Sequence, residues 1–377
     1  MRCIYAESDM AEITIDTFFA LVSAGLWEKE VQVAVLQKHD FLGILRLVRE
    51  QAVCGLVTAG LEHVSDLKIE KTDSMLFLKE VVMTENRNIA MNDFISKLFN
   101  RLEENGVKAV LVKGQGVAQC YERPLWRSAG DIDLFFDEDN YQKAKAFLTP
   151  LATSVESEDK RKKHLAMSID SWLVELHGLM PTEISERINA GVDAVQKDIF
   201  ENGGVRFWDN NGVSIPLPSP DNDVVIIFTH FIQHFFVGGV GLRQISDWCR
   251  LLWTYRETID RELLERRLRD MGLMSEWNAF AQFAVDYLGM PVEAMPFFEE
   301  SRKLKRQARK IRSLIIHAGN FGHNKDQSYR REHPGLRGRI ITFFRRLGEF
   351  VRLTFIFPWD GPCFFLTYLT RRTKAVL

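Results

Sequence analysis

A chain of 377 residues, 46% hydrophobic and 27% charged, is long enough for two or three domains that each bury a core, and that balance excludes a disordered polypeptide. No window of about 18 uninterrupted apolar residues occurs, so no spanning helix is expected, and Met1-Arg2-Cys3-Ile4-Tyr5-Ala6-Glu7 turns polar too early for a signal peptide. Five scattered cysteines without CxxC spacing argue for reduced thiols and a cytoplasmic location, not for a disulfide framework or a zinc site.

Residues 1–104 read as a helical N-terminal region. Leu42, Ile44, Leu45, Leu47 and Val48, then Val53, Leu56 and Val57, recur at helical spacing. Thr84-Glu85-Asn86 is expected to cap a helix that runs through Leu102 and stops at Asn105-Gly106. No residue pattern in this region carries chemistry, which leaves it packing or one wall of a cleft.

Residues 105–180 read as an α/β core. An apolar, β-branched run over 107–112 predicts a strand, and Lys113-Gly114-Gln115-Gly116 turns it into a short helix. A second strand is predicted at Gly130-Asp131-Ile132-Asp133-Leu134-Phe135-Phe136. Strand alternation puts Asp131 and Asp133 on one face and Ile132 and Leu134 on the other. Two apposed carboxylates are costly unless a proton or a cation relieves them, and a hard divalent ion such as Mg²⁺ is the common solution. Replacing either acid by its amide is therefore expected to cost no stability. The glycine-rich turn would bring backbone N–H groups to a phosphate. For a lone Asp-x-Asp, a solvated acidic turn is the competing reading. Further on, 137–148 reads as a helix, and 154–158 and 164–169 as short strands around the charged turn 159–163. A last strand holds Trp172-Leu173-Val174-Glu175-Leu176-His177, with Glu175 and His177 on one face.

Three stretches, LVKGQGVA (111–118), RSAGDIDLFF (127–136) and VELHGL (174–179), resemble the DNA polymerase β-like nucleotidyltransferase superfamily. They are more closely similar to a bacterial family of nucleotidyltransferases, some of them encoded beside surface-polysaccharide genes. The resemblance implies an α+β fold: a small mixed-sheet core flanked by helical regions. It implies a transferase that moves a nucleoside monophosphate from an NTP to an acceptor, which could be a sugar, a small molecule, a protein or an RNA. Asp131, Asp133 and Glu175 would be the catalytic, metal-holding acids for two Mg²⁺ ions, with Mn²⁺ as a substitute. Lys113, Gly114, Gln115, Gly116 and Arg127 would bind the nucleotide. Gly114-Gln115 stands where the superfamily more often has Gly-Ser or Gly-Gly, so a hydroxyl contact to phosphate is missing.

Residues 181–300 read as a helical domain with a hairpin over 207–218 that turns at Asp209-Asn210-Asn211-Gly212. Ser219-Pro220-Asp221 opens the next helix, which carries His230 and His234 at i, i+4. That spacing can bind a metal, but the Glu of HExxH is missing. Arg243 and Asp247 lie on the helix after it. By the same resemblance His177, His230, Arg243 and Asp247 are candidate cleft-wall residues; structural hydrogen bonding is the alternative.

Residues 301–377 form a basic, aromatic C-terminal region. From Arg302 onward there are 18 Lys plus Arg and 4 Asp plus Glu, a charge of +14 in a chain whose total is −2. Arg345-Arg346 and Arg371-Arg372 flank its most aromatic part. Such a tail suits an anionic partner, either an RNA or the inner face of a membrane. Packing on the protein's own acidic body is the competing expectation. Two other functions stay open at the level of sequence: a nucleotidyltransferase toxin acting on tRNA, and a non-catalytic nucleotide-binding protein of the same fold.

Overall fold

The computed structural model describes residues 2–33, 38–65, 71–182, 184–320, 347–348, 350–358 and 361–362. Helices come first: α1 (Arg2–Trp27), α2 (Lys38–Gln51), α3 (Cys54–Glu62) and the long α4 (Lys71–Glu104). The expected helix stop at Asn105-Gly106 is where α4 ends. The expected cap at Thr84 is not: Thr84 lies inside α4 and its hydroxyl donates to the Glu80 carbonyl at 2.9 Å. A threonine can satisfy itself in this way without breaking a helix.

The α/β core follows as β1 (Val110–Val112), α5 (Gly114–Ala118), β2 (Asp131–Phe135), α6 (Glu138–Leu148), β3 (Ser154–Val155), β4 (His164–Ile169) and β5 (Trp172–His177). Asp137 caps α6 by accepting from the Asn140 N–H. The five strands form one mixed sheet in the order β1-β2-β5-β4-β3, in which β2 and β5 run parallel and the other neighbours antiparallel. A two-residue turn joins β4 to β5. Asp170 and Ser171 both have positive φ, 48° and 72°, as a primed hairpin turn demands. That turn sets the register, pairing His164 with His177 and Ala166 with Glu175.

The chain then turns helical: α7 (Glu186–Glu201), a hairpin of β6 (Val205–Asn210) and β7 (Val213–Pro218), α8 (Pro220–Val237), α9 (Leu242–Thr254), α10 (Arg261–Met271), α11 (Met274–Leu288) and α12 (Arg302–Ala318). Ser301 caps α12 by accepting from the Leu304 N–H.

Two apolar clusters organise these elements. One face of the sheet (Ile132, Leu134, Leu165, Met167, Val174, Leu176) packs with Met91, Ile95 and Leu98 of α4, Tyr141 of α6 and the hairpin residues Ile215 and Leu217. A larger cluster joins α1 to α3 with α7 to α12. Within it α1 and α3 cross backbone to backbone. A Cβ on Gly25 would run into the Leu56 carbonyl, and one on Gly60 into the Leu21 carbonyl. Gly55 is pressed in the same way against the Trp126 carbonyl.

Part of the C-terminal region joins this core. Phe350, Leu353, Ile356 and Phe357 are buried, with Phe357 against Phe235 and Phe236 of α8. Gln307 of α12 donates to the Ile356 carbonyl at 2.6 Å. Arg345, Arg346, Arg371 and Arg372 lie outside the described residues. Among the described residues no helix is long and apolar enough to cross a membrane. Cys54, Cys120 and Cys249 are buried free thiols.

Candidate active site

Because one sheet face is buried, alternation presents the opposite face of β2, β5 and β4 to a cleft of about 360 Å³. Asp131, Asp133, Glu175, His164 and His177 stand on this face, and α8 and α9 form the opposing wall with His230, His234, Arg243 and Asp247.

The three acids converge. β2 and β5 pair Asp133 with Glu175 in register, and one carboxylate oxygen from each of Asp131, Asp133 and Glu175 lies within 4.8 Å of the others. Burial and the neighbouring Asp133 charge raise the pKa of Asp131. Asp133 behaves in the opposite way. It is buried, yet its Oδ1 accepts from Lys113 Nζ at 2.7 Å and meets His177 Nε2 at 2.8 Å. Although burial opposes ionisation, these partners outweigh it and hold Asp133 far below the usual carboxylate range. Glu175 is lowered by its hydrogen bond to His164, 3.1 Å away, and the same bond raises His164. Burial penalises the Lys113 ammonium, but Asp133 overcomes that penalty and raises it.

Lys113 itself sits in an uncommon backbone state, with φ 58° and ψ −145°, directly before Gly114 at φ 42°. Strain of this kind at a side chain other than glycine is typical of functional turns. Lys113 and Gly114 line the cleft. Gln115 and Gly116, the other two residues assigned to the nucleotide, do not. Gln115 is buried and donates from Nε2 to Asn88 Oδ1 at 2.8 Å, and Asn88 in turn donates to the carbonyls of Leu125 and Arg127. Gln115 thus steadies the loop before β2 and is not aimed at phosphate. At Gly116 an added Cβ would crowd the Leu217 side chain at 2.8 Å, so its smallness serves packing against β7.

Arg127 lines the cleft, but each of its three nitrogens already donates to a protein partner. Nε and Nη2 hold both oxygens of Asp247 at 2.8 and 2.6 Å, and Nη1 donates to the Ser128 carbonyl. Tyr121 donates to the same Asp247 at 2.8 Å. Arg127 and Asp247 therefore form a buried clamp between the loop and α9, which leaves only part of the Arg127 guanidinium for the phosphate contact expected of it. Arg243 offers more. Its Nη1 donates to the Ser128 carbonyl at 2.9 Å, while its buried Nε has no hydrogen-bond partner among the described residues. Burial and nearby Arg127 lower its pKa.

His230 and His234 face each other with Nε2 atoms 3.2 Å apart. Among the described residues no third ligand groups with them. Burial, then the Lys113 charge, lowers both; His234 falls to about 4. They are neutral polar groups of the wall. His164 was missed as a site residue, although a two-residue turn at Asp170-Ser171 would have placed it beside His177.

The acid set can hold a metal. Three carboxylates in mutual reach form an oxygen cage of the kind hard divalent ions prefer. The Lys113 ammonium stands against Asp133 as a positive charge beside the three acids.

Comparison with known proteins gives the following. A search of curated proteins found no match. Among solved structures, an antigenic nucleotidyltransferase-like protein from Paracoccidioides brasiliensis aligns over 53% of this chain and 93% of its own, with 14% identity and a TM-score of 0.32. A family profile described as "Uncharacterised nucleotidyltransferase" matches residues 37–289, which take in the whole sheet, the acids and both cleft walls. With more than half its length matched, the chain belongs to this family of uncharacterised nucleotidyltransferases.

Proposed function

We propose that the cleft transfers a nucleoside monophosphate from an NTP to an acceptor hydroxyl with Mg²⁺, in the manner of the DNA polymerase β-like superfamily. The observation that carries this reading is the meeting of Asp131, Asp133 and Glu175 within 4.8 Å at the base of the cleft. Divalent ions held there would neutralise the triphosphate and the departing pyrophosphate.

The chain's own residues have distinct parts. Asp131 and Asp133 hold the ion cage, and Glu175 completes it on the β5 side. Lys113 lies at the mouth of the strained turn, where its ammonium can offset phosphate charge once Asp133 has another cation. Arg243 offers Nε, a donor not otherwise used, toward an anionic group. The Arg127–Asp247 clamp fixes the loop that leads into β2. The neutral imidazoles of His230 and His234, beside Gln233, suit a hydroxylated acceptor, which agrees with a surface-polysaccharide sugar more readily than with an apolar one. Positioning and preorganised charge are the main demands of in-line phosphoryl chemistry. The test is incubation with α-labelled NTPs, Mg²⁺ and cell extract, followed by identification of the labelled product. Label that appears equally with Asp131→Asn protein, or without a divalent ion, would overturn the reading.

A further inference from the structure

The oxygen cage is only part of the chemistry on this sheet face. His164, Glu175 and His177 form a second ligand set, with one donor atom from each within 4.8 Å of the others. His164 Nε2 stands 3.1 Å and His177 Nε2 3.6 Å from the same Glu175 oxygen, Oε2. Donors held tetrahedrally at about 2.0–2.1 Å from one ion are separated by about 3.3 Å, and these two spacings bracket that value. The hairpin preorganises the set. His164 and His177 are register partners across β4 and β5, with ring centroids 4.9 Å apart, and Glu175 lies two residues along the same face. All three line the cleft, so a fourth position is open to solvent or substrate.

Ligand chemistry sets this position apart from the neighbouring one. Two imidazoles and one carboxylate are a poor home for Mg²⁺, which prefers oxygen, and a good one for a borderline first-row ion. We propose that His164, His177 and Glu175 bind a borderline divalent transition-metal ion, Zn²⁺ foremost, at a position adjoining the all-oxygen cage and sharing Glu175 with it. Binding breaks the His177–Asp133 hydrogen bond: His177 Nε2 gives up any proton it carries and turns its lone pair to the metal, leaving the other ring nitrogen to hold the hydrogen. The inference concerns ion binding and does not depend on the transfer reaction, with which it shares only Glu175.

Co²⁺ is a suitable probe. The metal-free full chain, without nucleotide, is titrated with Co²⁺ while visible absorption is recorded, and Zn²⁺ is then added as competitor. Wild-type protein should gain intense d–d bands of low coordination number, together with two exchangeable imidazole N–H resonances shifted by the paramagnetic ion. His164→Gln should weaken Co²⁺ binding at least tenfold, whereas Asp131→Asn should leave it within threefold. Failure of folded wild-type protein to bind Co²⁺, or binding without shifted imidazole resonances, would overturn the proposal, and neither measurement needs a variant. Equal binding by His164→Gln, or loss in Asp131→Asn as large as in His164→Gln, would place the ion in the oxygen cage and overturn it too. An absence of nucleotidyl transfer by protein that shows both imidazole resonances would count against the proposed function and leave this site standing.

Discussion

The two walls of the cleft hold histidines in opposite electrostatic conditions. On the sheet wall the hydrogen bond to Glu175 raises His164, while on the helical wall burial lowers His230 and His234. The difference lies in what each backbone supplies. Parallel β2 and β5 set acids side by side, and His164, hydrogen-bonded to Glu175 among them, is drawn toward the charged form. Helices α8 and α9 present the same side chain near Asp247, which Arg127 and Tyr121 already engage. One wall sets carboxylates side by side, while on the other Arg243 and Asp247 carry opposite charges near imidazoles that burial holds toward the neutral form.

The largest expected effect tests the sheet wall. Asp131→Asn should reduce transfer of labelled nucleotide about 10²-fold or more, the usual loss when a stabiliser of transition-state charge is removed. Its folding should be unimpaired, since the Asp131 carboxyl is held in a setting that disfavours its charge. Retention of a tenth of the activity would remove Asp131 from the machinery.

Asp133→Asn should divide from it on stability. Sequence alone treats the two acids as equals whose repulsion is relieved by either amide. In the structure Asp133 is the counter-charge of Lys113, whose side chain is only 13% exposed. Removing one member of a buried pair costs about 3 kcal/mol here, at the low end of the usual range. Chemical denaturation should show that loss for Asp133→Asn and not for Asp131→Asn, and Lys113→Met added to Asp133→Asn should recover much of it. Equal stability of the two single variants would erase the distinction.

The helical wall can be tested through its support. Phe357 packs behind α8 on Phe235 and Phe236, so Phe357→Ala should cost about 3 kcal/mol in a melt or denaturant series. An unchanged protein would mean that this part of the tail does not brace the wall.

The smallest effect is in pH. His234 titrates near 4 in the folded chain against an ordinary 6.5. The unfolded chain therefore takes up more protons as pH falls below 6.5, and stability drops through that range, levelling below about 4. After allowance for solvent screening, His234→Gln should remove roughly 1 kcal/mol of the acid-side loss between pH 6.5 and 4.5. An unaltered slope would place the proton uptake elsewhere.

How much of this was legible follows the range of the interactions. Strand alternation placed Asp131, Asp133, Glu175 and His177 on one face, because a period of two is local and each strand has one buried side. Ser219-Pro220-Asp221 and the stretch from Asp137 announced helix starts for the same local reason. Contacts between distant segments were not legible. Arg127 meets Asp247 across 120 residues, and Gln115 turns back to Asn88 on α4, so neither side chain's occupation could be read from its neighbours in sequence. His164 was recoverable in principle. Its partner follows from a two-residue turn, but Asp170-Ser171 lacks the glycine or asparagine that usually marks one.

None of the described residues of the N-terminal helices lines the cleft, yet α3 packs against a loop that does. Gly55 of α3 lies with its α-carbon pressed against the carbonyl of Trp126, one residue before the Arg127 clamp. The gap between them leaves no room for a methyl group. α3 therefore acts as a mechanical stop, and the depth at which the Arg127 loop comes to rest is gauged by the absence of one carbon atom on a helix outside the chemistry.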